Sequence, residues 1–269
     1  MNVLQAMLLG LLQGATEFLP VSSSAHLVIV PWLLGWSNPG LAFDSVLHLG
    51  TLLAVLLYMR REIEIVVRGW WRSVRRRNLA LPEERLGWLI VLSTIPGAVL
   101  GYLAEDYFEA LFGSPRAVAL LLLVTGGLLV ASERIGQHSR PLQQASWRDA
   151  IWIGLAQAMA IAPGLSRSGT TIAGGLLRGL QREDAARFSF LMVIPIIAGA
   201  AGLQIIKLIR VGIEPTQLLN LGAGFVVAFL AGYAAIGFLL GFLRKRPLYA
   251  FALYCWGFGL LTLVITFIR

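Results

Sequence analysis

The chain has 269 residues, of which 57% are hydrophobic and 13% are charged, and its mean hydropathy is +0.76. This composition excludes a soluble globular domain and indicates an integral membrane protein. The formal net charge is +8, but the basic residues lie in short segments between hydrophobic runs rather than on one soluble surface. We therefore predict no nucleic-acid partner.

Six stretches without Asp, Glu, Lys or Arg are candidates for crossing a membrane. An α-helix rises about 1.5 Å per residue and the hydrocarbon core is about 30 Å thick, so roughly 20 apolar residues suffice. The stretches are 45–59, 86–104, 117–132, 188–206, 215–243 and 247–268. The two shorter ones can cross if tilted partners or arginine side chains extend them. We predict an all-α polytopic membrane protein with about six transmembrane helices.

Two further apolar segments are interrupted by polar residues and proline. In the first, QGATEFLPVSSSAH (13–26), Glu17 and Pro20 follow a charge-free run, and the second, 150–177, contains Pro163 and Arg167. Non-helical backbone at membrane depth is tolerated where it lines a cavity or is buried in protein. We therefore predict two re-entrant broken-helix elements that mark a site.

The two interrupted segments are similar to each other. An offset of 144 residues pairs Gly10 with Gly154, Gln13 with Gln157, Ser22 with Ser166 and Ser24 with Ser168. About three helices follow each broken element, so each copy makes an odd number of crossings and the second copy runs upside down. This pattern predicts an inverted repeat, approximately 1–133 and 146–269, whose discontinuous helices meet near the membrane midplane or in a cavity. The alternative is chance similarity between two apolar segments that both contain glycine and serine.

The placement of charge predicts the orientation. The segment 60–85 carries eight arginines, whereas an opposite loop is acidic. The acidic residues are Glu105, Asp106 and Glu109. The positive-inside rule makes 60–85 a basic cytoplasmic loop. Trp70 and Trp71, flanked by arginines, also predict an amphipathic helix at the anionic membrane surface, with a plain topology signal as the alternative.

The first interrupted segment can bind a metal ion. Gln13 and Glu17 are four residues apart, so on a helix they share one face and can direct two oxygen atoms at one point. Oxygen ligands favour Mg²⁺ or Ca²⁺, and zinc is disfavoured because Cys255 is the one cysteine and the three histidines are scattered. The alternative is that Glu17 forms a salt bridge with an arginine and serves folding.

His26 and the serines before it also have two interpretations. A turn after Pro20 can bring His26 back toward the carboxylate, where a neighbouring serine can act as an activated nucleophile or donate to an oxyanion. Alternatively, Ser22, Ser23 and Ser24 cap the next helix, as serines after a proline turn commonly do. His26 is then a structural histidine with satisfied hydrogen bonds.

The second interrupted segment, PGLSRSGTT (163–171), has Arg167 in place of the acid. The residues around it are small or carry hydroxyl groups: Ser166, Ser168, Gly169, Thr170 and Thr171. Backbone N–H groups at a helix start and a planar guanidinium together suit phosphate, with a structural arginine that pairs with Glu17 or with carbonyl groups as the alternative. A carboxylate, a histidine with serines and an arginine in one membrane cavity suit a lipid phosphate or diphosphate.

These two motifs resemble the signature segments of the bacterial undecaprenyl-diphosphate phosphatases associated with bacitracin resistance, and the resemblance covers essentially the whole chain. The first signature matches at Gln13, Glu17, Pro20, Ser22, Ser23 and His26. The second matches at Pro163, Gly164, Ser166, Arg167, Ser168 and Thr171. FDSVLHLGTLLAV, which contains Asp44 and His48, also resembles a family segment, and we regard these two residues as peripheral.

The resemblance implies an activity and a place in the cell. The activity is hydrolysis of undecaprenyl diphosphate to the monophosphate, which recycles the lipid carrier for peptidoglycan and other wall polymers and confers bacitracin resistance. The implied location is the bacterial inner (cytoplasmic) membrane, with a site open to the outer face. The implied partners are a polyprenyl diphosphate and membrane lipids, and a homo-oligomer is compatible with the sequence.

The resemblance also implies roles for individual residues. Glu17, assisted by Gln13, would bind a divalent cation, Mg²⁺ or Ca²⁺; the glutamine has one negative charge fewer than glutamate, but the family pattern allows either. Arg167, with the small and hydroxyl residues around it, would bind phosphate. His26 and a serine, Ser23 before Ser22, would share nucleophilic and acid–base work. Direct attack by water activated at Glu17 stays open.

Two other classes of membrane protein share features with this chain. The type 2 phosphatidic acid phosphatases have a Pro and Gly arrangement that VSSSAH lacks, and no histidine follows Arg167, so the chain does not match them. A lipid-carrier flippase or transporter built on the same inverted repeat is the alternative function.

Overall fold

The computed structural model describes residues 1–37, 40–104, 111–211 and 215–269. Within these ranges there are eleven α-helices and no β-strand. The helices are α1 (Val3–Phe18), α2 (Ser23–Leu34), α3 (Leu41–Tyr58), α4 (Arg60–Arg76), α5 (Pro82–Leu103), α6 (Pro115–Ile135), α7 (Trp147–Met159), α8 (Arg167–Leu177), α9 (Arg182–Val211), α10 (Pro215–Leu243) and α11 (Tyr249–Ile268).

Six helices in the described ranges are long and apolar enough to cross a membrane, which confirms the predicted number. They are α3, α5, α6, the Arg182–Leu203 part of α9, the Gln217–Leu243 part of α10, and α11. Each overlaps one of the charge-free stretches of the sequence. The chain is therefore an all-α, multi-pass membrane protein.

The two predicted interruptions are breaks between helices. α1 continues through Glu17, and the first break lies at residues 19–22. α7 ends at Met159 and α8 begins at Arg167, so the second break is also short. Pro31, which follows the first motif, lies inside α2 and does not end it. Each break therefore places one charged residue of its motif at a helix end.

Serines start the helix after each break. Ser22 Oγ accepts a hydrogen bond from the N–H of Ala25 at 3.3 Å, and Ser166 Oγ accepts one from the N–H of Gly169 at 3.0 Å. These bonds satisfy backbone donors that have no partner within the helix. The predicted capping alternative is thus confirmed for Ser22, and Ser166, which was predicted to bind phosphate, is found to be a cap as well. Ser22 also has a φ of 67°, which is uncommon for a residue with a side chain and marks a tight turn.

The helices before the two breaks pack on partners from the opposite half of the chain. α1 packs along α10, and α7 packs along α5. Gly10 permits the contact between α1 and α10, because a Cβ at this position would collide with the carbonyl oxygen of Gly224. Gly154 permits the contact between α7 and α5, because a Cβ there would lie 2.7 Å from the carbonyl oxygen of Ser93. Gly10 and Gly154 are paired by the offset of 144 residues. Equivalent helices of the two halves thus each pack on a helix of the other half, which supports the inverted repeat, although the repeat stays a prediction. α6 ends at Ile135, two residues beyond the predicted end of the first copy at residue 133.

The basic segment 60–85 consists of a helix, a short connection and the start of α5. α4 follows α3 with Met59 as the one residue between them, and α5 begins at Pro82. The helix predicted within this segment is present. The acidic residues expected on the opposite side lie outside the described residues: Glu105, Asp106 and Glu109. The cytoplasmic placement of the segment stays a prediction.

Ion pairs connect helix ends on the face that carries α4. They are Arg187 with Glu62, Arg182 with Glu133, Arg178 with Asp149, and Arg244 with Glu183. Asp149 lies outside the candidate spans. Burial raises the pKa of its carboxyl group, but hydrogen bonds from Arg140, Arg178 and Ser146 have the larger effect and lower that pKa to about 2. The charged carboxylate therefore holds the start of α7 against the end of α8.

We expect Gly154→Ala to lower the thermal stability of the protein. A Cβ at this position would lie 2.7 Å from the carbonyl oxygen of Ser93 and 2.9 Å from its Cα, so α7 must move away from α5. Overpacking costs about 1–3 kcal/mol, more than the roughly 0.5–1 kcal/mol that alanine gains over glycine in a helix. Gly127→Ala is the matched control, because Gly127 is helical with open space around it. Thermal unfolding in detergent measures both, and an unchanged midpoint for Gly154→Ala would contradict the close contact.

Candidate active site

The two breaks contact each other through a pair of serine hydrogen bonds. Ser24 Oγ accepts from the backbone N–H of Gly164 at 3.3 Å, and Ser168 Oγ donates to the carbonyl oxygen of Leu19 at 2.9 Å. Ser24 and Ser168 are equivalent residues in the sequence offset. Each break is therefore bonded to the other through the equivalent side chain, and the two motifs form one site.

Thr125 of α6 fixes the backbone of the second break. Its Oγ1 donates to the carbonyl oxygen of Gly164 and accepts from the N–H of Ser166, both at 3.0 Å. Gly164 has a φ of 103°, a conformation that favours glycine, and an added Cβ would collide with the carbonyl oxygen of Val118. The glycine of PGLSRSGTT is thus required by the shape of the turn.

Glu17 is the centre of the site. It is 4% exposed, and its two carboxylate oxygens face different partners. Oε1 forms an ion pair with Nη2 of Arg167. Oε2 accepts hydrogen bonds from Nε2 of Gln13 at 2.9 Å and from Oγ of Ser23 at 2.6 Å. The structure therefore brings together Gln13, Glu17 and Ser23 of the first motif and Arg167 of the second.

The ion pair matches the alternative in which Arg167 satisfies Glu17, but it leaves two polar atoms unused. Within the described structure, Nη1 of Arg167 and Oε1 of Gln13 are buried and have no hydrogen-bond partner. An unpaired buried donor or acceptor costs about 1–3 kcal/mol, so such atoms are uncommon in folded proteins. Nη1 can donate to an anionic oxygen, and Oε1 can bind a cation. The pair of atoms is suited to a phosphate accompanied by a metal ion.

His48 of α3 lies beside the central carboxylate. Its Nε2 is 3.7 Å from Oε2 of Glu17, and its Nδ1 donates to the carbonyl oxygen of Asp44 at 2.7 Å. Because Nδ1 carries the proton of that hydrogen bond, Nε2 can donate to Glu17 only when the imidazole is doubly protonated. Oδ1 of Asp44 is also buried without a hydrogen-bond partner among the described residues. His48 is therefore not peripheral to the site, in contrast to the expectation from sequence.

His26 is bonded to a carbonyl group and to α11. Its Nδ1 donates to the carbonyl oxygen of Ser22 at 2.8 Å, and its Nε2 is 2.7 Å from the hydroxyl of Tyr254. The imidazole stacks on Phe258 with a centroid separation of 4.8 Å and an interplanar angle of 17°. Both ring nitrogens are thus satisfied, as the structural alternative expected. Tyr254 and Phe258 were not predicted as site residues, because aromatic residues are common in apolar helices and carry no motif signal.

The other residues of the second motif stabilise α8. Ser166 caps it, and the Oγ1 atoms of Thr170 and Thr171 lie 3.1 and 2.7 Å from the carbonyl oxygen of Arg167, to which they donate. Oγ1 of Thr171 also lies 2.6 Å from Oγ of Ser189 in α9. Of the residues predicted to bind phosphate, Arg167 is therefore the one with a buried, unpaired side-chain donor in the described part of the chain.

This arrangement suits transfer of a phosphoryl group. Ser23 can pass its hydroxyl proton to Glu17 along the existing hydrogen bond, as an activated nucleophile requires. Arg167 can offset charge on phosphate oxygens. Since Glu17 and Arg167 together carry no net charge, a further cation would stabilise a polyanion buried beside them. The donor set, one carboxylate and one free amide oxygen, fits an oxygen-seeking cation whose remaining ligands come from phosphate.

The chain is similar to known proteins over almost its whole length. The family model described as bacitracin resistance protein BacA matches residues 6–261, which include both breaks. A relative from Rubrobacter xylanophilus is 46% identical over 257 residues, covering 94% of each chain, and one from Thermomicrobium roseum is 44% identical over 278 residues, covering 100% of each. A relative from Anaeromyxobacter sp. is 48% identical over 260 residues, covering 94% of this chain and 84% of its own. All three are named undecaprenyl-diphosphatase. Because the family match and these relatives span nearly the entire chain, the protein belongs to the family of the bacitracin resistance protein BacA.

Proposed function

We propose that this protein hydrolyses undecaprenyl diphosphate to undecaprenyl phosphate and inorganic phosphate. The reaction would recycle the lipid carrier for peptidoglycan and other wall polymers and confer resistance to bacitracin. The observation that carries the proposal is the unpaired Nη1 of Arg167 beside a Ser23 hydroxyl that donates to Glu17. The relatives are named for a phosphatase, which does not favour the transporter alternative.

Arg167 binds the terminal phosphate in this proposal. Its Nη1 is free to donate, and a guanidinium can hold two phosphate oxygens through parallel hydrogen bonds. The phosphate then competes with Glu17 for the same cationic group. Substrate binding would therefore release Oε1 of Glu17 from its ion pair.

The reaction breaks the bond between the terminal phosphorus and the bridging oxygen of the diphosphate. Oγ of Ser23 attacks that phosphorus while its proton passes to Glu17, and undecaprenyl phosphate leaves with the bridging oxygen. Water then attacks the phosphoserine, Oγ leaves and takes the proton back from Glu17, and inorganic phosphate is released with both hydrogens of the water. Attack by His26, with Ser22 or Ser23 in support, and direct attack by water activated at Glu17 are the alternatives.

His26 is better suited to proton transfer than to attack. Nucleophilic attack requires a free lone pair, but Nδ1 is bonded to a carbonyl group and Nε2 to the hydroxyl of Tyr254. That hydroxyl can donate to the neutral imidazole and accept from the imidazolium, so it holds the ring in either protonation state.

A divalent cation, Mg²⁺ or Ca²⁺, would be held by Glu17 and Gln13. Such ions often bind one or two carboxylates together with phosphate oxygens of the substrate. The described residues contain no group of three His, Cys, Asp or Glu side chains able to hold a metal, so ligands beyond Glu17 and Gln13 would have to come from the diphosphate or from water. When bound, the cation would offset negative charge on the phosphate oxygens.

We also propose that the protein lies in the bacterial cytoplasmic membrane with its site open to the outer face. The arginine-rich α4 follows directly after α3, and by the positive-inside rule this supports a cytoplasmic position for this end of α3. α2 is joined to the other end of α3, and this connection supports access to Glu17 from outside. Membrane lipids would surround the spans, and a homo-oligomer stays compatible with a site built from one chain.

Arg167→Lys tests the phosphate-binding role. Lysine keeps the positive charge but lacks the planar guanidinium group, so we expect kcat with a polyprenyl diphosphate to fall about 10²–10³-fold. In Arg167→Ala we expect kcat to fall at least as far. Phosphate release by the purified protein in detergent measures this, and Arg116→Lys, exposed and outside the site, is the control. The double variant Glu17→Gln/Arg167→Gln removes both buried charges, so it contains no unpaired charge that would prevent folding. Loss of activity in this variant is therefore not explained by loss of folding. Near wild-type turnover in a folded Arg167 variant would overturn the assignment.

Gln13→Glu tests the cation site. The added carboxylate should lower the apparent Kd for Mg²⁺ or Ca²⁺ by at least about tenfold, and Gln13→Leu should raise it. Phosphate release after chelation and cation titration gives one measurement, and the thermal shift caused by the cation without substrate gives another. Gln144→Glu adds the same charge at an exposed position outside the site and should leave both readouts unchanged. Full turnover in excess chelator would remove the cation from the proposal.

Rapid acid and alkaline quenching with substrate labelled at the terminal phosphorus identifies the attacking group. We expect label on Ser23 that survives acid, whereas a phosphohistidine would survive alkali instead, and direct attack by water would leave no labelled protein. Ser23→Ala should abolish the label and lower kcat about 10³-fold, since it removes the nucleophile. Ser22→Ala is the matched control, because Ser22 caps α2 and its replacement should leave the label on Ser23. Label on His26, or no labelled protein, would contradict attack by Ser23.

A further inference from the structure

α4 has three faces, and one of them packs on protein among the described residues. Val66, Gly69 and Ser73 form the buried face. A second face is apolar yet exposed: Val67, Trp71 and Val74 are 55%, 58% and 42% exposed. Their spacing of four and three residues puts them on one side of the helix. Such a stripe on a helix outside the six candidate spans needs an apolar partner.

The third face of α4 is cationic. It consists of Arg61, Arg68, Arg72 and Arg75. The helix contains six arginines and two glutamates, which gives a net charge of +4. Glu62 is paired with Arg187 of α9, and Glu64 pairs with Arg68 one turn away. Among the described ion pairs none uses the other three arginines of this face, so most of its charge is available to a partner.

The chain connections hold α4 at the level where the spans begin. One residue separates it from the end of α3, and five residues, 77–81, separate it from α5. Gly69 lies against the backbone of Glu83 in the first turn of α5, and Trp70 packs on Gly87 one turn further. α4 has 17 residues and is about 25 Å long, and these contacts hold its middle against the first two turns of α5.

We propose that α4 is a binding site for anionic phospholipids. Val67, Trp71 and Val74 enter the boundary between headgroups and acyl chains, and the arginine face binds the lipid phosphates. An amphipathic helix with an aromatic apolar stripe and a basic polar face has the chemistry of an interfacial helix. Each basic residue near an anionic membrane surface strengthens binding by a factor of about five. If α4 served only to orient the protein in the membrane, its arginines would be sufficient. Lipid binding also explains the exposed apolar stripe of Val67, Trp71 and Val74.

The test titrates the full-length protein in detergent with phosphatidylglycerol or phosphatidylcholine and counts bound lipid by native mass spectrometry. The triple variant Arg61→Gln/Arg68→Gln/Arg75→Gln should weaken phosphatidylglycerol binding on the order of 100-fold. The matched control, Arg134→Gln/Arg148→Gln/Lys245→Gln, removes the same charge from exposed positions outside α4 and should retain tight binding. Equal losses in both triple variants, or equal affinity of the wild type for the two lipids, would overturn the proposal.

A second measurement tests the apolar face. A fluorophore on Val67→Cys, with the protein in nanodiscs, should be quenched by lipids that carry bromine on their acyl chains, and inclusion of phosphatidylglycerol should increase quenching. The arginine triple variant should reduce this increase. Phosphate release in detergent should be unchanged in every α4 variant, which shows that the protein is folded. An unquenched fluorophore in both lipid mixtures would place the stripe in water and disprove interfacial insertion.

Discussion

The buried pair of Glu17 and Arg167 is the interaction on which the arrangement of the two halves depends. Each charge alone would be expensive inside a membrane protein, and the two residues are 150 positions apart in the chain. Glu17 lies in the last turn of α1 and Arg167 in the first turn of α8. Neither half can therefore bury its motif without the other, so the two breaks must meet for either charge to be paired.

The remaining contacts of the site support this meeting. Ser24 and Ser168 join the backbones of the breaks, and Thr125 fixes the turn that carries Arg167. Further from the site, Gly10 and Gly154 allow the helices before the breaks to approach α10 and α5 closely. The same kinds of residue do the same work in both halves. The central ion pair is thus surrounded by hydrogen bonds between the breaks and by close contacts between helix backbones.

The features predicted from the sequence are those with a local cause. The six spans follow from charge-free length, and the breaks follow from proline and charge inside apolar segments. The proximity of Gln13 to Glu17 follows from their spacing of four residues on a helix. His48 could not be placed, because its contact with Glu17 depends on how α3 packs beside α1. Tyr254 was also missed, since nothing local distinguishes it from other aromatic residues in α11. The two threonines after Arg167 were expected to face phosphate, but threonine in a helix often bonds to a carbonyl group one turn earlier, and both do so here.

The ion pair explains why the structural and functional interpretations of these residues do not exclude each other. A carboxylate and a phosphate are both anions, so a substrate that takes Arg167 from Glu17 leaves the arginine paired throughout. The cost of the exchange falls on Glu17, which is buried and would lose the larger part of its charge compensation. A cation on Glu17 removes that cost, and the free amide oxygen of Gln13 lies on the same helical face to assist it. Under the proposed function, the diphosphate and the cation therefore each improve the binding of the other, because each repairs the charge imbalance that the other creates.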